Sequence, residues 1–319
     1  MTLLQFLRAS LTLAACLLAS GLAHAGAPQL KTQAPGYYRI MLGDIEVTAL
    51  SDGTFELPAD KLLTNTNAAK TAKALAAAYL STPVETSVDA YLINTGSKLV
   101  LVDAGAGSYF GPTLGNLLVS LKASGYSPEQ VDEVYITHMH PDHIGALVSG
   151  GKRTFPNAIV RADKQEAAYW VSPEHMAAAP QDNQGFFKDA IESLQPYIDA
   201  GRFQPFEGAT ELVPGVRALS SHGHTPGHTT YIVESKGQTL ALLGDLVHVG
   251  AVQFPDPTVT IGFDTDTKSA YAERKKAFAD AAKKGYWIAA AHLPFPGIGH
   301  LRANGSGYTW IPANYTALR

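Results

Sequence analysis

The chain has 319 residues, 46% of them hydrophobic, and a formal charge of -4. That is enough for one large core or two small ones, and the scattered lysines and arginines exclude the basic footprint of a nucleic-acid binder. Pairs such as Lys275-Lys276 and Lys283-Lys284 read as a solvated helix face.

Residues 1–25 stand apart as a secretory signal peptide. Arg8 precedes an apolar run from Leu11 to Leu22, and Ala23-His24-Ala25 before Gly26 fits a cleavage point, so the expected location is the periplasm. Lipoprotein cleavage at Cys16 is the alternative, although the apolar run continues beyond that cysteine. A membrane anchor needs about 20 apolar residues. This run is shorter and is broken at Ser20-Gly21, and no later segment is apolar for long enough to span a bilayer. Cys16 is the one cysteine, so the mature chain has no disulfide and relies on its core and any bound metal.

After an extended lead-in over 26–35, Tyr37–Leu42 and Glu46–Leu50 predict a hairpin around Gly43-Asp44. Asn67–Leu80 is helical in propensity, Val88–Ile93 and Leu99–Val102 are strand-like, and Thr113–Ala123 predicts a helix. Ser127 and Gln130 have capping-box spacing. Val134-Tyr135-Ile136 reads as a buried strand, Ala158–Arg161 as another, and Asp163–Trp170 as a helix. Ser172–Gly185 is rich in breakers and predicts a long surface loop that walls or covers a site. Beyond it come a helix over Ala190–Ala200 and strands at Val216–Leu219, Thr229–Glu234 and Thr239–Leu243. An amphipathic helix over Asp266–Lys284 ends at Gly285, and a strand at Trp287–Ala291 and a hairpin over Leu301–Ile311 close the chain. There is no repeat and no linker, so residues 26–319 predict a single layered α/β domain.

Thr137-His138-Met139-His140-Pro141-Asp142-His143-Ile144-Gly145 follows a predicted strand directly. Three imidazoles and a carboxylate in six residues outline a metal site, and this donor mix suits zinc or a similar first-row ion. Pro141 and Gly145 are expected to keep the stretch off regular structure, so that one short loop presents donors to two ions.

H-x-H-x-D-H resembles the motif of the metallo-β-lactamase superfamily. That resemblance implies an αββα four-layer sandwich and a two-ion ligand set of His138, His140, Asp142, His143, His224, Asp245 and His292. His224 lies in the turn Gly223-His224-Thr225-Pro226-Gly227-His228, Asp245 ends Leu242-Leu243-Gly244-Asp245, and His292 ends Ala289-Ala290-Ala291-His292. Asp245 corresponds to the family's bridging aspartate, and His228 to a residue behind the ligands. His222 is expected to be structural.

Longer stretches narrow the resemblance: Ala34–Arg39, Thr95–Val100, Ser221–Tyr231 and His292–His300 are similar to methyl parathion hydrolase and its secreted bacterial relatives. That group implies two divalent ions, most often zinc, commonly a homodimer, and a pocket lined by aromatics corresponding to Phe110, Trp170 and Phe186. His248, Ile261 and Phe263 depart from the parathion hydrolase at pocket positions, which opens the choice between a planar lactone or aryl ester and a tetrahedral phosphotriester. The expected chemistry is hydrolysis by a hydroxide held between two ions, with Asp245 and Asp142 as catalytic carboxylates. No G-x-S-x-G elbow is present. A β-lactamase, an iron-dependent oxidoreductase on the same scaffold and a non-catalytic metal-binding protein remain as alternatives.

Overall fold

A computed structural model describes residues 27–318, so the expected signal segment, with Arg8 and Cys16, lies outside the described residues. Residues 27–34 have no regular structure. No helix among the described residues is long and apolar enough to cross a membrane.

Runs of β-branched and aromatic residues build two sheets. In the first, β1 (Tyr37–Leu42), β2 (Ile45–Leu57), β3 (Val84–Asn94), β4 (Leu99–Val102), β5 (Glu133–Tyr135) and β6 (Ile159–Arg161) lie side by side in chain order. The pairs from β1 to β4 are antiparallel, whereas β4, β5 and β6 run parallel. The first hairpin turns where predicted, with Leu42 opposite Ile45 and Gly43 at φ +59°. The second sheet holds β7 (Thr210–Val213), β8 (Val216–Ser220), β9 (Thr229–Ser235), β10 (Gln238–Leu242), β11 (Trp287–Ala289), β12 (Ile298–Asn304) and β13 (Gly307–Pro312). Its neighbours are antiparallel except β10 and β11, which run parallel.

Helix α1 (Ala68–Ala77) packs through Leu75 in a separate cluster with Leu57, Leu63 and Val249, while α2 (Leu117–Ala123), α3 (Lys164–Trp170), α4 (Gln184–Asp199) and α5 (Thr267–Lys284) cover the outer faces. Between the sheets, Val47, Tyr91, Val100 and Val102 pack on Val216, Tyr231, Val233 and Leu242. Behind the first sheet, Leu92, Leu101 and Val134 meet Leu117 and Leu121 of α2 and Phe187 and Leu194 of α4. Behind the second, Ile232, Ala241 and Ile288 meet Phe278 and Ala281 of α5. This is the expected αββα sandwich. A one-residue slip in any central strand would turn its buried face outward, so the register is strongly specified.

Three local expectations are corrected. α2 starts at Leu117 and not at Thr113, because the Asp52 carboxylate accepts the N–H groups of Gly115 and Leu117, both at 2.9 Å, and the Thr113 carbonyl accepts that of Thr54. Pro141 starts a helical turn over Pro141–Ile144, since the first helical position needs no N–H. The stretch Ser172–Gly185 is no loop: Pro173–Ala178 is helical with Ser172 Oγ accepting the His175 N–H, and α4 already begins at Gln184. The short edge strand β7 carries mixed polarity and leaves no clear alternation in the sequence.

The parallel pairs position the site. The loops that leave the carboxyl ends of β4 and β5 in one sheet, and of β10 and β11 in the other, reach the same rim of the sandwich.

Candidate metal centre

The helical turn after β5 brings Asp142 and His143 round to face His138 and His140. Gly145 is required here by close approach: a Cβ would lie 2.1 Å from the Ala106 carbonyl oxygen. The turn between β8 and β9 supplies His224, the end of β10 Asp245, and the end of β11 His292.

Two groups of donor atoms are made up of the predicted ligands: His138, His140, His224 and Asp245 form one, and Asp142, His143 and His292 the other, each compact enough to hold a metal ion. Asp245, His248 and His292 form a third group that overlaps them. Asp245 lies against both of the first two, with Oδ2 at 3.5 Å from His138 Nε2, 3.4 Å from His224 Nε2 and 3.2 Å from His292 Nε2. Its Oδ1 sits 3.2 Å from His143 Nε2. Asp142 Oδ2 is 3.6 Å from His143 Nε2 and 3.4 Å from His292 Nε2. All seven residues predicted as ligands therefore converge.

Outer hydrogen bonds fix which ring nitrogen faces inward. His143 Nδ1–H donates to Asp103 Oδ2 and His224 Nδ1–H to Asp264 Oδ1, both at 2.8 Å. His292 Nδ1–H donates to the Ser87 carbonyl at 2.9 Å. Thr137 Oγ1–H donates to Asp103 Oδ2, so its lone pair accepts His138 Nδ1–H. The Nε2 lone pairs of these four histidines point into the site as a consequence. His138 Nε2 and His224 Nε2 both face His140 Nδ1, at 3.0 and 3.2 Å. One proton on His140 cannot satisfy both, whereas a cation between the three nitrogens does. His143 Nε2 and Asp245 Oδ1 are buried without a hydrogen-bond partner, which the same chemistry explains. The donor set fits divalent metal.

Burial pushes His138, His140 and His224 well below the ordinary imidazole range, so they stand ready as neutral donors. Burial opposes charge at His143 and His292 too, but Asp245 and neighbouring carboxylates outweigh it, and His292 is raised to about 9. Burial likewise opposes charge on Asp245, yet His292 and His143 hold it well below the carboxylate range. A positive charge is thus stabilised on the His292 side. In protein stripped with chelator, the His292 contribution to stability is expected in full below pH 6.5 and to disappear as pH rises through about 9. Denaturation midpoints against His292→Asn at pH 6 and pH 10 test this; an equal gap at both would contradict it.

His228 sits behind the donors: its Nε2 accepts the Asp245 backbone N–H at 3.0 Å, and Nδ1 meets Ser221 Oγ at 2.9 Å. Burial holds it at about 3, a neutral ring that fixes the Asp245 backbone. His222 lies apart, 3.6 Å from Asp163.

A cavity of about 90 Å³ opens over the donors. Phe55, Leu57, Phe110, Phe186 and Phe263 wall it, with Pro141, Asp142 and His248 beside them. His248 Nε2 is 3.1 Å from Asp245 Oδ2, and neither ring nitrogen has a hydrogen-bond partner among the described residues. Two predicted pocket residues lie elsewhere. Ile261 is fully buried, paired with Leu63 in an apolar cluster, and Trp170 lines a neighbouring hollow, its ring edge-on to His140. Sequence reasoning missed Phe55 and Leu57, which end a strand far from any motif. It also missed the outer acceptors Asp264 and Glu166, and gave Asp103 no role although it stands at a strand end. Glu166 is fully buried; its Oε1 accepts the Met139 N–H, and its Oε2 accepts Thr225 Oγ1–H and the Gly227 N–H. Burial raises it to about 7 against those donors.

A family model described as the metallo-beta-lactamase superfamily matches residues 83–292. An N-acyl homoserine lactonase of Bacillus cereus is 28% identical over 160 residues, 50% of this chain and 56% of that protein. The chain thus spans about half the length of the curated relatives it matches. Among solved structures, a hydrolase of the beta lactamase superfamily, AbOPH, is 39% identical with a TM-score of 0.86, over 90% of this chain and 100% of that one. AidC, a dizinc quorum-quenching lactonase in complex with a product, N-hexnoyl-L-homoserine, is 27% identical with a TM-score of 0.82, over 88% and 99% of the two chains.

Proposed function

Because the chain belongs to the metallo-β-lactamase superfamily, we propose that it is a hydrolase that cleaves neutral lactones and aryl esters at a two-ion centre. The observation that carries this reading is the wall of the cavity. Five apolar side chains face the donors, and no lysine or arginine among the described residues lines the opening. An anionic substrate such as a β-lactam or a phosphodiester would find no cationic side chain in the wall to hold the part of it that lies beyond the ions, whereas a neutral ester is favoured by desolvation. The likeness to two lactonases supports the same class. A neutral phosphotriester meets the charge condition too and is the second reading, carried by the resemblance to methyl parathion hydrolase.

His138, His140 and His224 with Asp245 would hold one ion, and Asp142, His143 and His292 with Asp245 the other; the imidazole and carboxylate donors suit zinc. Two such ions supply a Lewis acid for the carbonyl oxygen and water activated at neutral pH. The protein does the rest. Phe110, Phe186 and Phe263 bind the ring and exclude water, and Asp245, its carboxylate held ionised by the surrounding imidazoles, joins the two donor groups. Asp142 lines the cavity with Oδ1 free of hydrogen bonds from the described residues, which suits passing a proton to the leaving alkoxide. His248 stands beside Asp245 where it can donate to the substrate oxygen. Export to the periplasm and pairing as a homodimer belong to the same reading.

The test is metal content with steady-state rates on an aryl lactone, an acyl-homoserine lactone, a methyl phosphotriester and a cephalosporin. Two ions per chain and fastest turnover of a lactone support the proposal. Fastest turnover of the phosphotriester selects the second reading, and fastest turnover of the cephalosporin rejects both. One redox-active iron, or no metal-dependent turnover, rejects the mechanism.

A further inference from the structure

We propose that Glu166 is a positioning residue for one ion of the pair and not for the other. The inference rests on the two-ion reading above. Glu166 is on α3, 26 residues from His140 in sequence, and its carboxylate ties two histidine loops together. Oε1 accepts the N–H of Met139, the residue between His138 and His140, at 2.8 Å. Oε2 accepts Thr225 Oγ1–H at 2.7 Å and the Gly227 N–H at 2.8 Å, on either side of the turn that follows His224. All three histidines of the first donor group thus sit on loops fastened by one side chain. None of the second group's donors, Asp142, His143 or His292, adjoins a residue that it bonds.

His140 gives the fastening its purpose. His138, His143, His224 and His292 each have the remote ring nitrogen in an outer hydrogen bond. His140 offers Nδ1 to the site, and its Nε2 has no hydrogen-bond partner among the described residues; the ring is held by packing on Trp170 and Phe186. With no outer acceptor to orient the imidazole, its position depends on where the backbone at 138–140 is held, and that is what the Met139 N–H to Glu166 bond sets. Close approach leaves α3 no freedom to shift, since a Cβ on Gly227 would lie 2.2 Å from the Glu166 backbone nitrogen.

Glu166→Gln tests this. The amide keeps shape and volume, but whichever way it lies an NH2 group faces N–H or O–H donors, so one of the two loops is released. The expected result is that one of two ions is bound roughly 10- to 100-fold more weakly, the range typical of lost outer-shell partners, while the other keeps its wild-type affinity. Competition against a graded chelator reads the two constants separately, and the absorption of the cobalt-loaded protein reports which site has changed. Equal weakening of both ions in Glu166→Gln, or unchanged affinity for both with the fold intact, overturns the proposal. If wild-type protein binds two ions but hydrolyses no lactone, the substrate reading falls and this inference is still decided by the affinities. A wild-type chain that holds fewer than two ions defeats both.

Discussion

Asp245→Ala is expected to lower kcat/KM on the best lactone by at least about a thousandfold, a loss of about 4 kcal/mol of transition-state stabilisation, and to leave the protein unable to retain two ions. The geometry makes this the largest single effect on activity. Asp245 lies within 3.5 Å of imidazole nitrogens of His138, His143, His224, His248 and His292, so removing it leaves five rings converging on a space without the carboxylate that neutralises them. Asp245→Asn separates charge from shape. It keeps the volume and the backbone hydrogen bond to His228, and a loss as deep as that of the alanine variant assigns the effect to the carboxylate charge. Either variant binding two ions and turning over at near wild-type rate would remove Asp245 from the centre.

The largest effect on stability is expected from Arg274→Leu, on the order of 3–5 kcal/mol. Arg274 lies on α5 with no exposed surface. Its guanidinium donates to the carbonyls of Leu246, Val259 and Pro257, and Nη2 stands 3.9 Å from Asp264 Oδ2. Leucine would leave these carbonyls and a fully buried carboxylate without their cation. Burial already raises Asp264 above the usual carboxylate range even with His248 and Arg274 opposing it. Arg274→Lys restores charge but not the fork, so it should recover only part of the loss. Denaturant midpoints of chelator-stripped protein measure the effect, and a loss under about 1 kcal/mol would show that the network is not holding the fold. Because Asp264 also accepts His224 Nδ1–H, metal affinity should fall with stability.

His138, His140, Asp142 and His143 were legible as a metal site because four donors crowd into six residues after an apolar run, whereas His224, Asp245 and His292 were picked out by the family resemblance. The layered fold was legible from strands in both halves with helices between them. What surrounds the donors was not. Asp264 and Glu166 are single acids without local pattern, brought to the site by loop and helix packing, and the Ser87 carbonyl that holds His292 carries no side-chain signal at all. Ile261 was assigned to the pocket by the resemblance to methyl parathion hydrolase, but its antiparallel partner Leu63 lies almost 200 residues away and draws it into the core. The stretch after Ser172 misled through Pro173, which breaks a helix in mid-course but begins one well.

Most of the cavity wall comes from parts of the chain that carry no metal donor. Phe55 stands near the end of β2, Phe110 in the loop after β4, Phe186 near the start of α4, and Phe263 in a loop before α5. The donors lie after β5, β8, β10 and β11. A change in Phe110 or Phe263 therefore alters what fits without touching a donor ring, whereas Phe55 and Phe186 also pack on His292 and His140. Reactivity and selectivity are inherited on separate segments, and a scaffold divided this way can acquire new substrates through single mutations while an old activity persists at a lower level.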